Sequence, residues 1–312
     1  MTAASSFSAR TAAAARAAHL IVDQDPVIFA DTLALRLLGD EADELVNYHR
    51  AHGTHVVLAG ARCQVVCRSR YTEDALAAAV AAGVRQYVIL GAGLDSFAYR
   101  SPLAASVRIF EVDQQETQAA KRASLASARI AEPDNLVFVP ADFEAASLTG
   151  ELTRAGLDLR EPAFVSWLGV TMYLTEAAIG QTVGELGQLA AGSHVVADYM
   201  LPAALRDEAG RTYVELVGPA SAERGERWLA FLSPQQMSQL LISHGLTPLR
   251  HVAQRDVGVA KTWNRADALR PSRLSLIVHA AVQVAVPGTA ASKLASIAPD
   301  ARGPFISSQR TW

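Results

Sequence analysis

The stretch YVILGAGLDSFAYR, Tyr87 to Arg100, decides the reading of the fold. An apolar run ends abruptly in Gly91-Ala92-Gly93, and Asp95 follows two positions later. A short apolar run closed by glycines reads as a buried strand that turns sharply at its carboxyl end. In an open α/β sheet that is where ligands bind.

Working outward, further strand candidates alternate with helical segments. VRIFEVD (Val107 to Asp113), NLVFVPADF (Asn135 to Phe143), AFVSWLG (Ala163 to Gly169) and SHVVADYM (Ser193 to Met200) read as strands. Helices are expected between them, from Gln114 to about Ile130 and from Thr175 to Gly192. Such alternation means βαβ units, hence a mostly parallel sheet covered by helices on both faces. Upstream, Thr11 to about Arg50 is helical in pattern, and TEDALAAAVAAG (Thr72 to Gly83) reads as a separate helix with Thr72 as N-cap. The alanine-rich start, MTAASSFSARTAAAARAAHL, reads as a surface helix in preference to a transit peptide. After Met200 the alternation breaks. Residues 201–245 read as helical, with Ser233 and Gly245 bounding one helix, and strands follow near Thr247–Val252 and Leu274–Val284. The stretch from Pro287 to Trp312 is rich in Pro, Gly and Ser and reads as a loosely packed tail. The expected organisation is a helical N-terminal extension over residues 1–60, acting as a cap. A single ligand-binding domain then covers residues 61–312, with a helical insert near 201–245 as a lid.

Composition narrows the function. The 312 residues carry a formal net charge of −3, so no basic field is available to hold nucleic acid or an anionic membrane. No apolar segment approaches the roughly 20 residues of a spanning helix. The two cysteines, Cys63 and Cys67, lack the second pair of a structural zinc site and read as buried free thiols. That points to a reducing, cytoplasmic setting. His49, His52 and His55 cluster without an accompanying carboxylate pattern, so no metal site is expected.

The glycine turn then selects the ligand. A dinucleotide site needs G-x-G-x-x-G, with a pyrophosphate on a helix N-terminus. Here the third glycine is missing and Asp95 would face two phosphates. A cationic ligand suits the turn better, and S-adenosylmethionine has a sulfonium, an ammonium and no phosphate. Its ribose would want an acid at the end of the second strand, where Glu111, Asp113 and Gln114 lie. Side-chain alternation along the strand favours Asp113 over Glu111. Asp142 and Phe143, after the third strand, are placed to meet the adenine.

RSRYTEDAL, VILGAGLDSFAYR, FEVDQ, PADFE and SWLGVTMYL together resemble the leucine carboxyl methyltransferase family, in its bacterial branch of S-adenosylmethionine-dependent O-methyltransferases. The SWLGVTMYL form is most similar to carboxyl O-methyltransferases of aromatic polyketide (tetracenomycin-type) natural product biosynthesis. The resemblance implies a Rossmann-like class I methyltransferase fold with seven strands. It also implies Arg70 as partner of the cofactor carboxylate, with Arg68 as a substitute. Gly91 and Gly93 would form the glycine loop, Asp113 the ribose acid, and Asp142 with Phe143 the adenine pair. Leu168, with Gly169 beside it, stands where family members acting on protein termini have an acid, which puts a protein substrate in doubt. Tyr173 and Tyr199 follow strand candidates on the ligand edge and are candidate catalytic hydroxyls; core packing explains them equally well. The expected partner is a small-molecule acceptor bearing a carboxylate or a phenol. A protein C-terminus, or binding without chemistry, are the alternatives. Self-association is a further option, and no residue pattern selects an oligomeric state.

Overall fold

The computed structural model describes residues 6–141 and 147–283. Seven strands form one sheet: β1 (Gln86–Leu90), β2 (Arg108–Asp113), β3 (Leu136–Pro140), β4 (Ala163–Trp167), β5 (His194–Met200), β6 (Leu246–Val252) and β7 (Ser275–Val282). Their order is β3-β2-β1-β4-β5-β7-β6, and β7 alone runs antiparallel to its two neighbours. The chain moves outward from β1 to β3 and then returns to lay β4 on the other side of β1. The carboxyl ends of β1 and β4 therefore flank the switch point where such sheets bind ligands.

The helical segments are α1 (Phe7–Val22), α2 (Ala34–Leu37), α3 (Ala42–His52), α4 (Val56–Ala81), α5 (Phe97–Arg100), α6 (Gln115–Ser127), α7 (Leu148–Arg154), α8 (Glu176–Leu186), α9 (Glu208–Glu223) and α10 (Pro234–Ser243). Central strands buried on both faces need apolar residues at every position. β1 meets that need with Tyr87 and Ile89 toward α4, and Val88 and Leu90 toward α7, α8 and α10. Ser233 caps α10 in a reciprocal pair with Gln236, as its sequence signature predicts.

Two expectations fail. Thr72 does not begin a helix: α4 runs unbroken from Val56 to Ala81, and Thr72 is buried inside it. The acids that looked like a first turn serve ion pairs instead. Asp74 accepts from Arg70 one turn earlier, and Glu73 pairs with Arg100. The division at residue 60 consequently falls within α4. Nor is α1 a surface helix, because Ala13, Ala14, Ala15, Ala17 and Ala18 are all buried. Their small side chains let α1 lie close to the backbone after β1, which a helix of larger residues could not do.

A buried ionic cluster fixes this extension to the sheet. Arg16 of α1 donates to Asp31 at 2.7 Å and to the Leu94 carbonyl at 2.6 Å. Asp31 also accepts from the N–H groups of Leu33 and Ala34, and Arg100 lies 3.6 Å away. Burial opposes ionisation of Asp31, but Arg16 and Arg100 outweigh it and hold the carboxyl below its ordinary value. Asp31→Ala should therefore cost about 3–5 kcal/mol, because it leaves a buried guanidinium unpaired. A lowered folded pKa makes this contribution complete above the ordinary carboxylate range. It is lost as pH falls through the folded value. Urea denaturation of both proteins at pH 7 and at acid pH checks it: the gap between them should be wide at pH 7 and narrow in acid.

Candidate active site

After Leu90 the backbone turns back under the end of β2. The N–H groups of Gly91 and Ala92 both donate to the Val112 carbonyl, at 2.8 and 3.1 Å. Gly91 and Gly93 sit at φ +66° and +46°, in the left-handed region. A Cβ on Gly91 would lie 2.3 Å from a Val170 methyl, and one on Gly93 3.0 Å from the Ala9 Cβ. Gly93 N–H donates to one oxygen of Asp113 at 2.6 Å, and Gln114 N–H to the other at 2.8 Å. Burial pushes the Asp113 carboxyl above its ordinary value, against the pull of those two donors.

This loop does not make a phosphate nest. The N–H of Asp95 is taken by the Ala92 carbonyl, and that of Phe97 by the Asp95 side chain. The following helix, α5, has four residues, too short to offer a useful dipole.

A cavity of about 930 Å³ opens over the loop. Gly91, Ala92, Gly93, Asp95, Asp113 and Gln114 line it, as do Leu168, Gly169 and Tyr173 from the turn after β4. The structure thus brings most of the sequence-derived residues to one site. The rest of the wall comes from α1, α3, α4 and α9, so both the N-terminal extension and the 201–245 insert contribute. They meet at Glu226, whose carboxylate accepts the Ser8 N–H at 3.0 Å, and at Arg224, which lies over the Phe7 ring at 4.4 Å.

Three candidates lie elsewhere, each for a geometric reason. Glu111 is fully buried beneath the cavity and pairs with Lys121 at 2.6 Å. Alternation was the wrong discriminator, since residues 111 and 113 share a face of β2; Glu111 is simply one pleat deeper. Burial pushes its carboxyl up to about 7 despite Lys121. Arg70 points outward to Asp74, whereas Arg68 lines the cavity. Two residues apart on a helix is roughly a 200° turn, so only one of the two arginines can face inward. Tyr199 lies in the core on the opposite face of β5, with its hydroxyl 2.7 Å from the His251 Nδ1. Asp142 and Phe143 fall outside the described residues.

One important residue escaped sequence reasoning. Asp198 on β5 is buried, accepting from Gly169 N–H at 2.6 Å and from Arg68 at 3.1 Å. It aims Arg68 at the cavity from below. Gly169 has φ +73°, and a Cβ there would lie 2.5 Å from the Arg68 guanidinium. The acid in VVADYM, inside an otherwise apolar strand candidate, was the available signal.

Tyr173 lies within reach of Trp228, Ser8 and Arg68, and burial pushes its hydroxyl above the ordinary value. His49, from the histidine cluster, is buried against Arg62, and burial pulls it down to about 4. Cys63 and Cys67 are both buried free thiols. Among the described residues, no helix is long and apolar enough to cross a membrane.

The family model described as leucine carboxyl methyltransferase matches residues 9–187, which is more than half of the chain. The chain belongs to the leucine carboxyl methyltransferase family. A candidate S-adenosyl-L-methionine-dependent methyltransferase of Bacillus subtilis (strain 168) is 32% identical over 217 residues, covering 69% of this chain and 71% of that one. Another from Mycobacterium bovis is 37% identical over 149 residues, so the match spans about half of that relative. Membership of this family makes the chain an S-adenosylmethionine-dependent methyltransferase. Solved structures agree on the fold. A DUF574-family protein from Streptomyces avermitilis superposes with a TM-score of 0.60 at 18% identity, covering 89% of this chain and 98% of that one. A methyltransferase candidate from Thermobifida fusca gives 0.58 at 18% identity, covering 90% and 96%.

If Asp113 holds the cofactor, Asp113→Ala should weaken S-adenosylhomocysteine binding by about 1.5–3 kcal/mol, the range for hydrogen bonds to a charged group. Gly91→Ala should abolish binding outright. Calorimetry with a parallel melting curve separates loss of affinity from loss of fold.

Proposed function

We propose that this methyltransferase acts on the oxygen of a small, largely apolar acceptor, a carboxylate in preference to a phenol. The observation that carries the reading is the make-up of the cavity at the carboxyl end of β4. Leu168 stands there in place of an acid, and Val57, Leu58, Ala61, Leu216 and Val217 add apolar lining to the same cavity. A peptide terminus would bring amide groups that these apolar side chains cannot hydrogen-bond, and each unpaired buried amide is costly. Gln64, a polar neighbour, already donates to Ser275.

The residues present fit S-adenosylmethionine. Asp113 would take the ribose, and the bare backbone of Gly91 and Gly93 lines the cavity, where a ligand can approach it closely. Arg68, held by Asp198, would pair with the methionine carboxylate. When bound, S-adenosylmethionine would supply an electrophilic methyl for in-line transfer to an ionised acceptor oxygen, the C–O bond forming as the C–S bond breaks and a neutral thioether leaves. The protein's part is alignment and exclusion of water. The latch between Ser8 and Glu226 closes one side of the cavity, and α1 covers the glycine loop. Tyr173, kept neutral by burial, can donate a hydrogen bond to the acceptor but is a poor base. An acceptor already ionised at neutral pH needs no base, which favours the carboxylate.

Natural product acids of polyketide type match this description of size and surface. With a carboxylate acceptor, turnover should be nearly flat from about pH 6 to 9, since the acceptor pKa lies near 4. A rate climbing steadily with pH would point to a phenol. Methylation of a peptide ending in leucine, with no turnover of aromatic acids or phenols, would refute the small-acceptor reading.

A further inference from the structure

The acceptor end of the cavity is built around two aromatic rings. Tyr213 of α9 and Trp228 both line it, with centroids 6.3 Å apart and planes within 4° of parallel. The segment carrying Trp228 is stitched to the ends of two strands. Leu229 and Ala230 donate to the Met172 carbonyl, at 2.7 and 3.3 Å, and Leu232 donates to the Met200 carbonyl at 2.9 Å. Met172 follows β4 and Met200 ends β5, so the ring pair is fixed relative to the switch point where the methyl must be delivered. Beneath it lies an apolar floor of Met172, Met200 and Leu274.

Both rings rest over helix-interior glycines. A Cβ on Gly60 of α4 would stand 3.2 Å from Tyr213 Cδ2, tighter than a normal contact. One on Gly218 of α9 would stand 3.8 Å from Trp228 Cε3. Glycine inside a helix is unfavourable relative to alanine, so bare backbone at Gly60 has a use: it makes room for the Tyr213 ring. Burial pushes the Tyr213 hydroxyl up to about 12, so this wall stays uncharged at neutral pH.

We infer that the Tyr213–Trp228 pair is the specificity determinant for the acceptor, selecting a planar aromatic or fused-ring acid over a puckered aliphatic one of the same size. This rests on the small-acceptor reading above and adds the shape of the acceptor to it. Aromatic faces favour flat π-systems beyond the area they bury, whereas Leu or Val walls would not distinguish flat from puckered carbon. The carboxylate would then point toward Tyr173, on the sheet side of the same cavity.

The test uses two probes with one carbon skeleton, 2-naphthoic acid and decahydro-2-naphthoic acid. Each is titrated calorimetrically into the full chain saturated with S-adenosylhomocysteine. The naphthoate should bind at least about tenfold more tightly. Trp228→Leu and Tyr213→Leu should each collapse that preference while leaving S-adenosylhomocysteine affinity unchanged. Trp228→Phe keeps a ring and should keep most of the preference, which controls for a folding defect in the leucine variants. Equal affinity for the two acids in the wild type, or a preference that survives both leucine substitutions, would overturn the inference while sparing the methyltransferase reading. Absence of S-adenosylhomocysteine binding in the wild type would overturn both.

Discussion

The site depends on one hydrogen-bonded carboxylate. Asp113, at the last position of β2, binds the backbone of the neighbouring loop through Gly93 and its own successor through Gln114. That double contact holds the glycine loop against the end of β2 and leaves a carboxylate beside β1 at the ligand edge of the sheet. Gly91 and Gly93 take left-handed backbone there, with Val170 and Ala9 packed where a Cβ would stand. A site so built offers bare backbone and negative charge, which suits a cationic ligand and repels a dinucleotide.

Everything else arranges walls around that point. The sheet supplies two floors of fixed backbone, at the ends of β4 and β5, and Asp198 links them while holding Arg68. The cap is held by charge buried in the interior. Arg16, Asp31 and Arg100 form one cluster, and Asp23 joins His19 and Arg62 in another. Buried ion pairs add little net stability but are costly to break, so they specify where α1 sits more than how tightly the protein folds. A cap fixed in this way, over alanines small enough to approach the loop, is what encloses the cavity.

The sheet was legible because buried parallel strands leave long apolar runs ended by glycine or acid, as YVILGAG and RIFEVD do. The glycine loop and Asp113 were legible for the same reason. What failed was local signal without depth or rotation. Thr72 carried a good capping signature, yet packing of α4 along the sheet overrode it. Arg68 and Arg70 are equivalent in a list of residues and opposite on a helix. Glu111 and Asp113 share a face and differ only in distance from the strand end. Tyr199 followed the pattern of a site residue, but its face of β5 turns into the core, and its neighbour Asp198 turns toward the cavity. Helices α1 and α9 come together only in three dimensions, so the latch at Glu226 had no sequence signature.

The most direct measurement is a pair of calorimetric titrations of the wild-type protein, one with S-adenosylmethionine and one with NAD. The account predicts saturable, micromolar binding of S-adenosylmethionine, about −8 kcal/mol, and no measurable heat with NAD. Saturable binding of NAD at similar strength, with none for S-adenosylmethionine, would contradict it.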